Sequence, residues 1–508
     1  MNSHAHNINV DFSPLPRAAG ILLACSSLPS PYGIGSFGGT AREWLRFLHD
    51  AGQRYWQILP LGVTGWGDSP YQSFSACALS PYYIDLDTLV ADGLLDAALP
   101  ARYLWGASRE KVNYAALYRN RRKVLRAAFD TFAQTGIQKE PYEAFLAGHK
   151  HWLDDYTLFM ALKARHKGLS WTVWEDDYRL RSPGALARFA KRNKELIKYY
   201  CFEQYCAFRQ WHALKADAAA QGISIIGDMP IYVALDSADV WAQPELFELD
   251  AALKPARVAG CPPDPFSATG QLWGNPLYRW DVHKASGFAW WISRLKESFA
   301  LYDVLRIDHF RGLESYYAIP AGEQDARNGA WILGPGTDFI DAVREALPGV
   351  PIIAEDLGYL SPEVKALLDY SGYPGMKVLQ FAFDSREPGD YMPYTYPKNC
   401  VVYTGTHDNT TAAGWFQAAN TEDAARACAY MGITSTRGAH WAFIRTALGA
   451  VANLAIIPLQ DYLGLGSAAR MNTPSMLGNN WQWRVRREAL SAELAAQIRG
   501  LTALYGRE

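Results

Sequence analysis

Four short apolar segments of this chain each lead into an acidic residue, and this pattern restricts the possible folds more than any other feature. The segments cover residues 225–228, 304–308, 352–355 and 401–408, and they end at Asp228, Asp308, Glu355 and Asp408. A continuous apolar run is typical of a parallel strand that is covered on both faces. If such strands close into a barrel, the acidic residues at their carboxyl ends face one common mouth.

The whole chain contains enough such runs to form a closed barrel. Eight candidate strands cover residues 20–25, 55–61, 223–227, 304–307, 351–354, 376–382, 400–404 and 454–457. Most of them are followed by a loop and then by a helical pattern, as in residues 40–51, where Gly52 marks the end of the predicted helix. Eight strands that alternate with helices predict an α/β fold of the (β/α)8 (TIM) barrel type. A doubly wound open sheet is the alternative.

The length of 508 residues is twice that of an ordinary barrel, so the chain forms either two domains or one barrel with large insertions. About 160 residues separate the second and third candidate strands, which is too many for one crossover. We expect a single catalytic barrel over residues 1–508. It would carry a mainly helical insertion at about 87–222 and a loop subdomain over the mouth at about 233–292.

Charge and cysteine content exclude several classes of function. The chain has 49 basic and 51 acidic residues, a balance that gives no reason to expect binding to nucleic acid or to an anionic membrane. The polar residues 1–16 lack an apolar signal core. Seven cysteines without CxxC spacing predict a reduced, cytoplasmic protein without a zinc site. We expect no metal and no cofactor, and a monomer or small homo-oligomer.

Residues 33–38 match the GxGxxG pattern of dinucleotide-binding loops and precede a predicted helix. In such a site the glycine-rich loop follows its strand at once, whereas here residues 26–32 lie between the first candidate strand and Gly33. We therefore interpret these glycines as turn residues rather than as a nucleotide site.

Several acidic side chains at the mouth of one barrel are typical of enzymes that cleave glycosidic bonds. In such enzymes one carboxylate attacks the sugar and another carboxyl group protonates the leaving oxygen. Asp308 is the candidate nucleophile, because Arg306 shares its face of the strand and would keep it ionised. A structural ion pair between Arg306 and Asp308 is the alternative.

Glu355 is the candidate acid/base, because burial and the charge of Asp308 would raise its pKa. Alternatively, Asp356 caps the next turn and Glu355 is merely paired.

The segment 406–411 places several polar groups, among them His407 and Asp408, at the end of a buried strand. Such groups need partners, and a polyhydroxylated ligand would supply them. A metal site at these two residues is a weaker interpretation, because no second histidine cluster supports it. Asp228 could brace the arginine or the loop.

Aromatic residues are abundant, with 18 Trp, 29 Tyr and 21 Phe. Many of them must enlarge the core. Others fall in Gly-, Pro- and Asn-rich stretches that predict loops, and aromatic side chains on loops favour a surface that binds sugar rings. These are Trp66, Tyr71, Phe74, Trp273, Tyr278, Trp280, Trp415 and Trp481.

Taken together, these motifs resemble those of the amylomaltases, the 4-α-glucanotransferases of glycoside hydrolase family 77, which are related to the α-amylase clan. The resemblance extends from about residue 20 to residue 484 and includes the three acidic motifs. It is also carried by residues 68–73, 227–232, 270–278, 470–474 and 481–484. Ser475 departs from the pattern, since the family often has glycine there.

The resemblance implies that Asp308 is the nucleophile, Glu355 the general acid/base and Asp408 the stabiliser of the transition state. It implies that Tyr71 packs on the transferred sugar and that Trp273 binds the acceptor, with residues 260–273 folded over the cleft. The full set of implied substrate-binding residues is Ser69, Tyr71, Asp228, Trp273, Arg306, His309, Asp384, His407 and Asn472.

The implied activity is that of a 4-α-glucanotransferase (EC 2.4.1.25) with a retaining double-displacement mechanism. Its substrates would be α-1,4-glucans, namely maltooligosaccharides, amylose and glycogen or starch fragments, with glucose as a further acceptor. A retaining α-glucan hydrolase or a debranching enzyme would use the same three acids and is the alternative. A non-catalytic glucan-binding protein would have no use for Glu355.

Overall fold

The structure is a computed structural model that describes residues 15–508 except 66, 265–266, 359, 386–389 and 477. Most of the polar segment 1–16 and the aromatic residue Trp66 therefore lie outside the described residues. In the described part of the chain, eight parallel strands form one sheet in the order β6-β7-β8-β1-β2-β3-β4-β5. These strands are β1 Ala18–Leu22, β2 Tyr55–Gln57, β3 Ser224–Pro230, β4 Val304–Asp308, β5 Ile352–Ala354, β6 Gly375–Val378, β7 Cys400–Tyr403 and β8 Leu454–Pro458.

The two ends of this sheet approach each other, so that the strands form a nearly closed barrel. The backbone N–H of Ala354, in β5, donates to the carbonyl oxygen of Pro374, 2.9 Å away and just before β6. The N–H of Met376 donates to Oδ1 of Asp356 at 2.6 Å. Asp356 thus bridges β5 and β6, instead of capping a turn. The predicted (β/α)8 barrel is confirmed, and the doubly wound open sheet is wrong.

All eight candidate strands are barrel strands, but most of their bounds differ from the prediction, and the second ends at Gln57 rather than at Leu61. The first begins at Ala18 and ends at Leu22, and Cys25–Ser27 forms a 3-10 turn. The sixth ends at Val378, and the following Leu379–Phe383 is again a 3-10 turn. Both turns are largely buried, and an apolar run does not by itself distinguish a strand from a buried turn.

Helices cover the outside of the barrel. Gly39–Asp50 follows β1 and buries Trp44, Leu45 and Leu48, after which Gly52 has a φ of +67°. A glycine adopts this left-handed conformation without the steric cost that a side chain would add. Other helices that follow barrel strands are Ala289–Leu301, Thr337–Ala346, Pro362–Ser371, Ala412–Ala418, Thr421–Met431, Ala439–Gly449 and Ala492–Leu504.

The long interval between β2 and β3 is rich in helices. Its longer helices are Tyr114–Thr135, Lys139–Gly148, Lys150–Arg165, Pro183–Arg192 and Lys194–Ala220. The last of them also packs on the barrel layer. Its buried Trp211 donates a hydrogen bond from Nε1 to the carbonyl oxygen of Leu301 at 2.9 Å.

A second, smaller sheet is antiparallel, and within the described ranges it has four strands. Their order is Gln271–Pro276, Arg257–Cys261, Ser315–Pro320 and Ala330–Leu333. Trp273 therefore lies on a strand, while Trp280 and Trp415 lie in the helices Trp280–Ala285 and Ala412–Ala418. The prediction that these three aromatic residues lie on loops is wrong, because glycine and proline flank short elements as often as long loops. No helix of the described ranges is both long and apolar enough to cross a bilayer.

Candidate active site

The acidic residues identified in the sequence lie at the carboxyl end of the barrel strands. Asp228 is in the second half of β3, Asp308 is the last residue of β4, and Glu355 directly follows β5. Ile307 and Ala354 are register partners in the adjacent strands β4 and β5. Asp308 and Glu355 are the next residues of these two strands, so the barrel itself brings them side by side.

Arg306 holds two of these carboxylates at once. Its Nη1 lies 2.6 Å from Oδ1 of Asp228, and its Nη2 lies 3.0 Å from Oδ1 of Asp308. The Arg306 and Asp228 side chains are almost completely buried, whereas 30% of the Asp308 side chain is exposed. Burial raises the pKa of Asp308, and the guanidinium of Arg306 opposes this rise. Asp308 is thus an oriented carboxylate whose ionised form is supported by a fixed cation.

Glu355 is held by the backbone rather than by a cation. Its Oε2 accepts a hydrogen bond from the N–H of His309 at 2.7 Å, and its Oε1 accepts one from the N–H of Leu357 at 2.8 Å. Burial raises the pKa of Glu355, the charge of Asp308 raises it further, and Arg306 lowers it. A buried carboxyl with a raised pKa can carry a proton near neutral pH, which a general acid needs.

Tyr71 links Asp228 to the segment after β7. Its hydroxyl donates to Oδ2 of Asp228 at 2.6 Å and lies 2.9 Å from Nε2 of His407. Because the single phenolic hydrogen is used for Asp228, Nε2 of His407 must carry a hydrogen and donate it to Tyr71. The two rings are stacked with centroids 5.2 Å apart, and the ring of Trp481 lies beside them. Tyr71 and His407 therefore form one rigid aromatic surface.

Asp408 lies five residues after the end of β7, and 46% of its side chain is exposed. Nδ2 of Asn472 donates to its Oδ1 at 2.6 Å, and Nε2 of His407 lies 3.4 Å from the same oxygen. The guanidinium of Arg470 binds the carbonyl oxygen of Asp408 and, through Nε, that of Asn472 at 2.6 Å. Asn472 and Arg470 thus orient Asp408, while part of its carboxylate is open to a ligand.

The side chains of Trp273 and His309 pack against each other, and His309 is bound to Glu355 through its backbone N–H. Their rings meet edge to face with centroids 4.9 Å apart, and Nε1 of Trp273 donates to Oε1 of Gln271 at 3.0 Å. Burial lowers the pKa of His309 to about 4, so that this ring is neutral. The φ of His309 is +55°, a left-handed conformation in which a non-glycine residue is strained. Its backbone N–H nevertheless binds Glu355, as described above.

Two further predicted binding residues lie near the same end of the barrel. Oγ of Ser69 accepts a hydrogen bond from the N–H of Tyr71 at 3.3 Å, so that Ser69 shapes the turn that presents Tyr71. Asp384 follows the turn Leu379–Phe383 beyond β6 and is partly buried. The residue that departs from the family pattern, Ser475, has a φ of +62°. The loop therefore keeps a conformation that glycine would adopt more readily.

Arg470 contributes to the site, although the sequence did not predict a role for it. It lies in the motif 470–474, so the signal was available, but nothing in the motif indicates that the side chain binds two backbone carbonyl groups. Among the described residues, no group of three or more His, Cys, Asp or Glu side chains could hold a metal ion.

Comparison with known proteins assigns the chain to a family. A sequence profile described as 4-alpha-glucanotransferase matches residues 23–490. The 4-alpha-glucanotransferase of Clostridium butyricum is 47% identical over 484 residues, which are 95% of this chain and 99% of that protein. The 4-alpha-glucanotransferase of Thermus thermophilus is 48% identical over 496 residues, which are 96% of this chain and 98% of that protein.

A solved structure shows the same fold. The amylomaltase from Streptococcus agalactiae, in complex with acarbose, superimposes with a TM-score of 0.94 at 40% identity, covering 97% of this chain and 99% of that one. Sequence profile, relatives and three-dimensional structure agree over nearly the whole length. The chain therefore belongs to the 4-alpha-glucanotransferase family, glycoside hydrolase family 77.

Proposed function

We propose that this protein is a 4-α-glucanotransferase that moves segments of α-1,4-glucans to the 4-hydroxyl group of another glucan or of glucose. Its membership of a family whose similar relatives carry that activity in their names supports this reaction. The observation that carries the mechanism is the pair at the ends of β4 and β5. Asp308 is bound to Arg306, and the neighbouring Glu355 has a raised pKa.

In the first half of the reaction, Glu355 donates its proton to the glycosidic oxygen while a carboxylate oxygen of Asp308 attacks the anomeric carbon. The glycosidic bond breaks, the leaving glucan departs with the proton, and a covalent glycosyl ester forms at Asp308. Arg306 keeps the attacking group ionised. Positive charge develops on the sugar in the transition state, and the exposed carboxylate of Asp408 would stabilise it.

In the second half, the 4-hydroxyl group of an acceptor glucan approaches the ester. Glu355, now ionised, takes the hydroxyl proton, the new glycosidic bond forms, and Asp308 is released. Two inversions give net retention of configuration. The outcome is transfer when a sugar hydroxyl, rather than water, reaches the ester first.

The remaining predicted residues fall into two sets under this proposal. On the donor side, Tyr71 and His407 supply a stacked aromatic surface, and Asp408 and Asn472 supply polar groups. Ser69, Asp228 and Asp384 would support or extend this side. On the acceptor side, Trp273 would stack on the incoming sugar, with His309 beside it.

We also propose the domain division that the sequence predicts. The helices between β2 and β3 support an insertion at about 87–222 in a single catalytic barrel. The strands Arg257–Cys261 and Gln271–Pro276 suggest that the subdomain at about 233–292 is built on a small sheet as well as on loops. Maltodextrins in the cytoplasm would be the natural substrates, and the protein would act as a monomer or small homo-oligomer.

Incubation with maltotriose, followed by chromatography of the products, tests the proposal. Glucose together with a ladder of glucans longer than maltotriose is the expected result. Glucose and maltose without longer products would identify a hydrolase instead. Unchanged maltotriose, in a protein that binds longer glucans, would contradict the catalytic assignment.

A further inference from the structure

The segment that carries His407 and Asp408 spans residues 404–412, from the end of β7 to the start of the helix Ala412–Ala418. In its middle, His407 is buried against Tyr71, whereas residues 406 and 408–410 are only partly buried. Residues of the segment line a small cavity of about 20 Å³ together with side chains at the ends of β1 and β8. Because most of these residues are only partly buried, hydrogen bonds as well as packing must fix the position of the segment.

One buried carboxylate binds both ends of this segment. Oδ2 of Asp461 accepts a hydrogen bond from Oγ1 of Thr404 at 2.6 Å, and Oδ1 accepts one from the N–H of Ala412 at 2.7 Å. Asp461 is 1% exposed, and Thr404 and Ala412 are completely buried. Asp461 belongs to the short helix Leu459–Tyr462, which directly follows β8, so the barrel holds it in place.

The hydrogen-bond partners of Asp461 in the described part of the chain are neutral groups. Burial raises its pKa to about 6, with just these two hydrogen bonds opposing the rise. Burying a carboxylate without a cation is costly in a protein interior. A buried carboxylate with two fixed hydrogen bonds defines the spacing of the groups that it binds, which an apolar side chain cannot do.

We propose that Asp461 is a positioning residue for the transfer reaction, acting by clamping both ends of the segment 404–412 and so fixing the height of His407 and Asp408 in the cleft. Other hydrogen bonds to neighbouring segments lie between these ends, including one from the N–H of Asn472 to the carbonyl oxygen of His407 at 3.1 Å. Nε2 of Gln380 donates to the carbonyl oxygen of Thr410 at 2.8 Å, and Arg470 binds that of Asp408. The inference rests on the proposed function and deepens it.

The test compares Asp461→Ala and Asp461→Asn in maltotriose turnover. Asp461→Ala removes both hydrogen bonds, and we expect kcat to fall about 10–100-fold with KM changed by less than about threefold, because Asp408 acts in the transition state. Asp461→Asn can still accept from Ala412 and donate to Thr404, so it should recover most of the lost kcat. If Asp461→Ala does not fold, Thr404→Val removes one of the two hydrogen bonds with little change in side-chain shape. Its kcat should fall several-fold, and a kcat equal to that of the wild type would overturn the proposal.

Asp85→Ala is the matched control for a loss of stability. Asp85 is a buried carboxylate at another helix start, where it accepts hydrogen bonds from Ser36 and Thr88, at 2.7 and 2.8 Å. Assayed well below both unfolding temperatures and per mole of folded protein, this variant should keep its kcat. An equal fall of kcat in Asp85→Ala and Asp461→Ala would overturn the proposal.

A double variant separates positioning from general destabilisation. Asp461→Ala and His407→Asn both act through the same segment, so their combined effect on kcat should be smaller than the product of the single effects. A fall of kcat in the double variant equal to the product of the two single effects would overturn the proposal. The wild type is the reference for the function itself. If it makes no glucan ladder, the proposed function fails, whereas an active wild type with an equally active Asp461→Ala contradicts only the role of Asp461.

Discussion

Oε2 of Glu355 accepts a hydrogen bond from the backbone N–H of His309, the residue that follows Asp308, at 2.7 Å. The proposed acid/base is thus tied to the main chain that carries the proposed nucleophile. This hydrogen bond opposes a shift of β4 relative to β5, which would change the spacing of the two carboxyl groups. A fixed spacing of the two carboxyl groups matters here, because a double displacement needs them on opposite sides of one bond.

The pH dependence of transfer should be bell-shaped, because the reaction needs Asp308 ionised and Glu355 protonated. Burial raises the pKa of both groups. Activity should fall at low pH as Asp308 becomes protonated, and at high pH as Glu355 loses its proton. Measuring kcat/KM for maltotriose from pH 4 to pH 9 tests this expectation. With Glu355→Gln, a glucosyl fluoride donor, whose leaving group needs no protonation, should still form the ester.

Asp308→Asn should abolish turnover while glucan binding survives. The amide cannot form the covalent ester, so the loss should reach several powers of ten. Asn retains the size of the side chain and an oxygen that can accept from Arg306, so the fold should persist. Assays of transfer and titration with a maltooligosaccharide measure the two properties separately. A variant that kept a tenth of wild-type transfer would refute the role of Asp308 as nucleophile.

Trp273→Ala should weaken acceptor use more than donor cleavage. Loss of a stacking surface costs roughly 1–3 kcal/mol by analogy with other aromatic platforms. The ratio of hydrolysis to transfer with maltotriose should therefore rise. Leu272→Ala is the matched control, since Leu272 precedes Trp273 on the same strand, is 41% exposed and points to the opposite face. An unchanged ratio in Trp273→Ala would argue against an acceptor-side role.

The carboxyl groups of Asp308 and Glu355 should lie about 5–5.5 Å apart when substrate is bound, as in retaining enzymes. Adjacent strands are about 4.8 Å apart, which permits this distance for residues that follow a register pair. A crystal structure with a bound substrate analogue measures it directly. A separation above roughly 9 Å, without a movable loop between the two, is incompatible with a double displacement by this pair.

Glu203→Gln should stabilise the protein at alkaline pH but not at acidic pH. Burial raises the pKa of Glu203 to about 7, against the weaker effects of its Tyr199 hydrogen bond and Arg122. The folded state therefore holds this proton more tightly than the unfolded state, and that stability is lost as pH rises from about 4.5 to about 7. The variant should gain roughly 2–3 kcal/mol at pH 8 relative to wild type.

Denaturant unfolding at pH 4.5 and at pH 8 measures the effect of Glu203→Gln. Glu195→Gln is the control on the same helix, because 60% of the Glu195 side chain is exposed. This control should show no comparable gain at pH 8. A gain for Glu203→Gln that is the same at both pH values would contradict the titration of Glu203.

The sequence alone determined the barrel and its acidic mouth. Strands covered on both faces must be apolar along their whole length, so each of the eight left a visible run. Asp308 and Glu355 could be proposed as the catalytic pair because each adjoins such a run, where alternation and position at the strand end restrict the possible orientations. Helices were recognisable for the same reason, since one apolar face gives a period of 3.6 residues.

Only the tertiary structure decided how these groups act on one another. Tyr71 and His407 are 336 residues apart in the chain, yet their contact defines which nitrogen of His407 carries a hydrogen. Asp461 likewise lies far from its partner, 57 residues beyond Thr404, and no sequence motif indicates the hydrogen bond between them. Local sequence patterns record burial and period, whereas hydrogen bonds between distant segments depend on how the barrel closes.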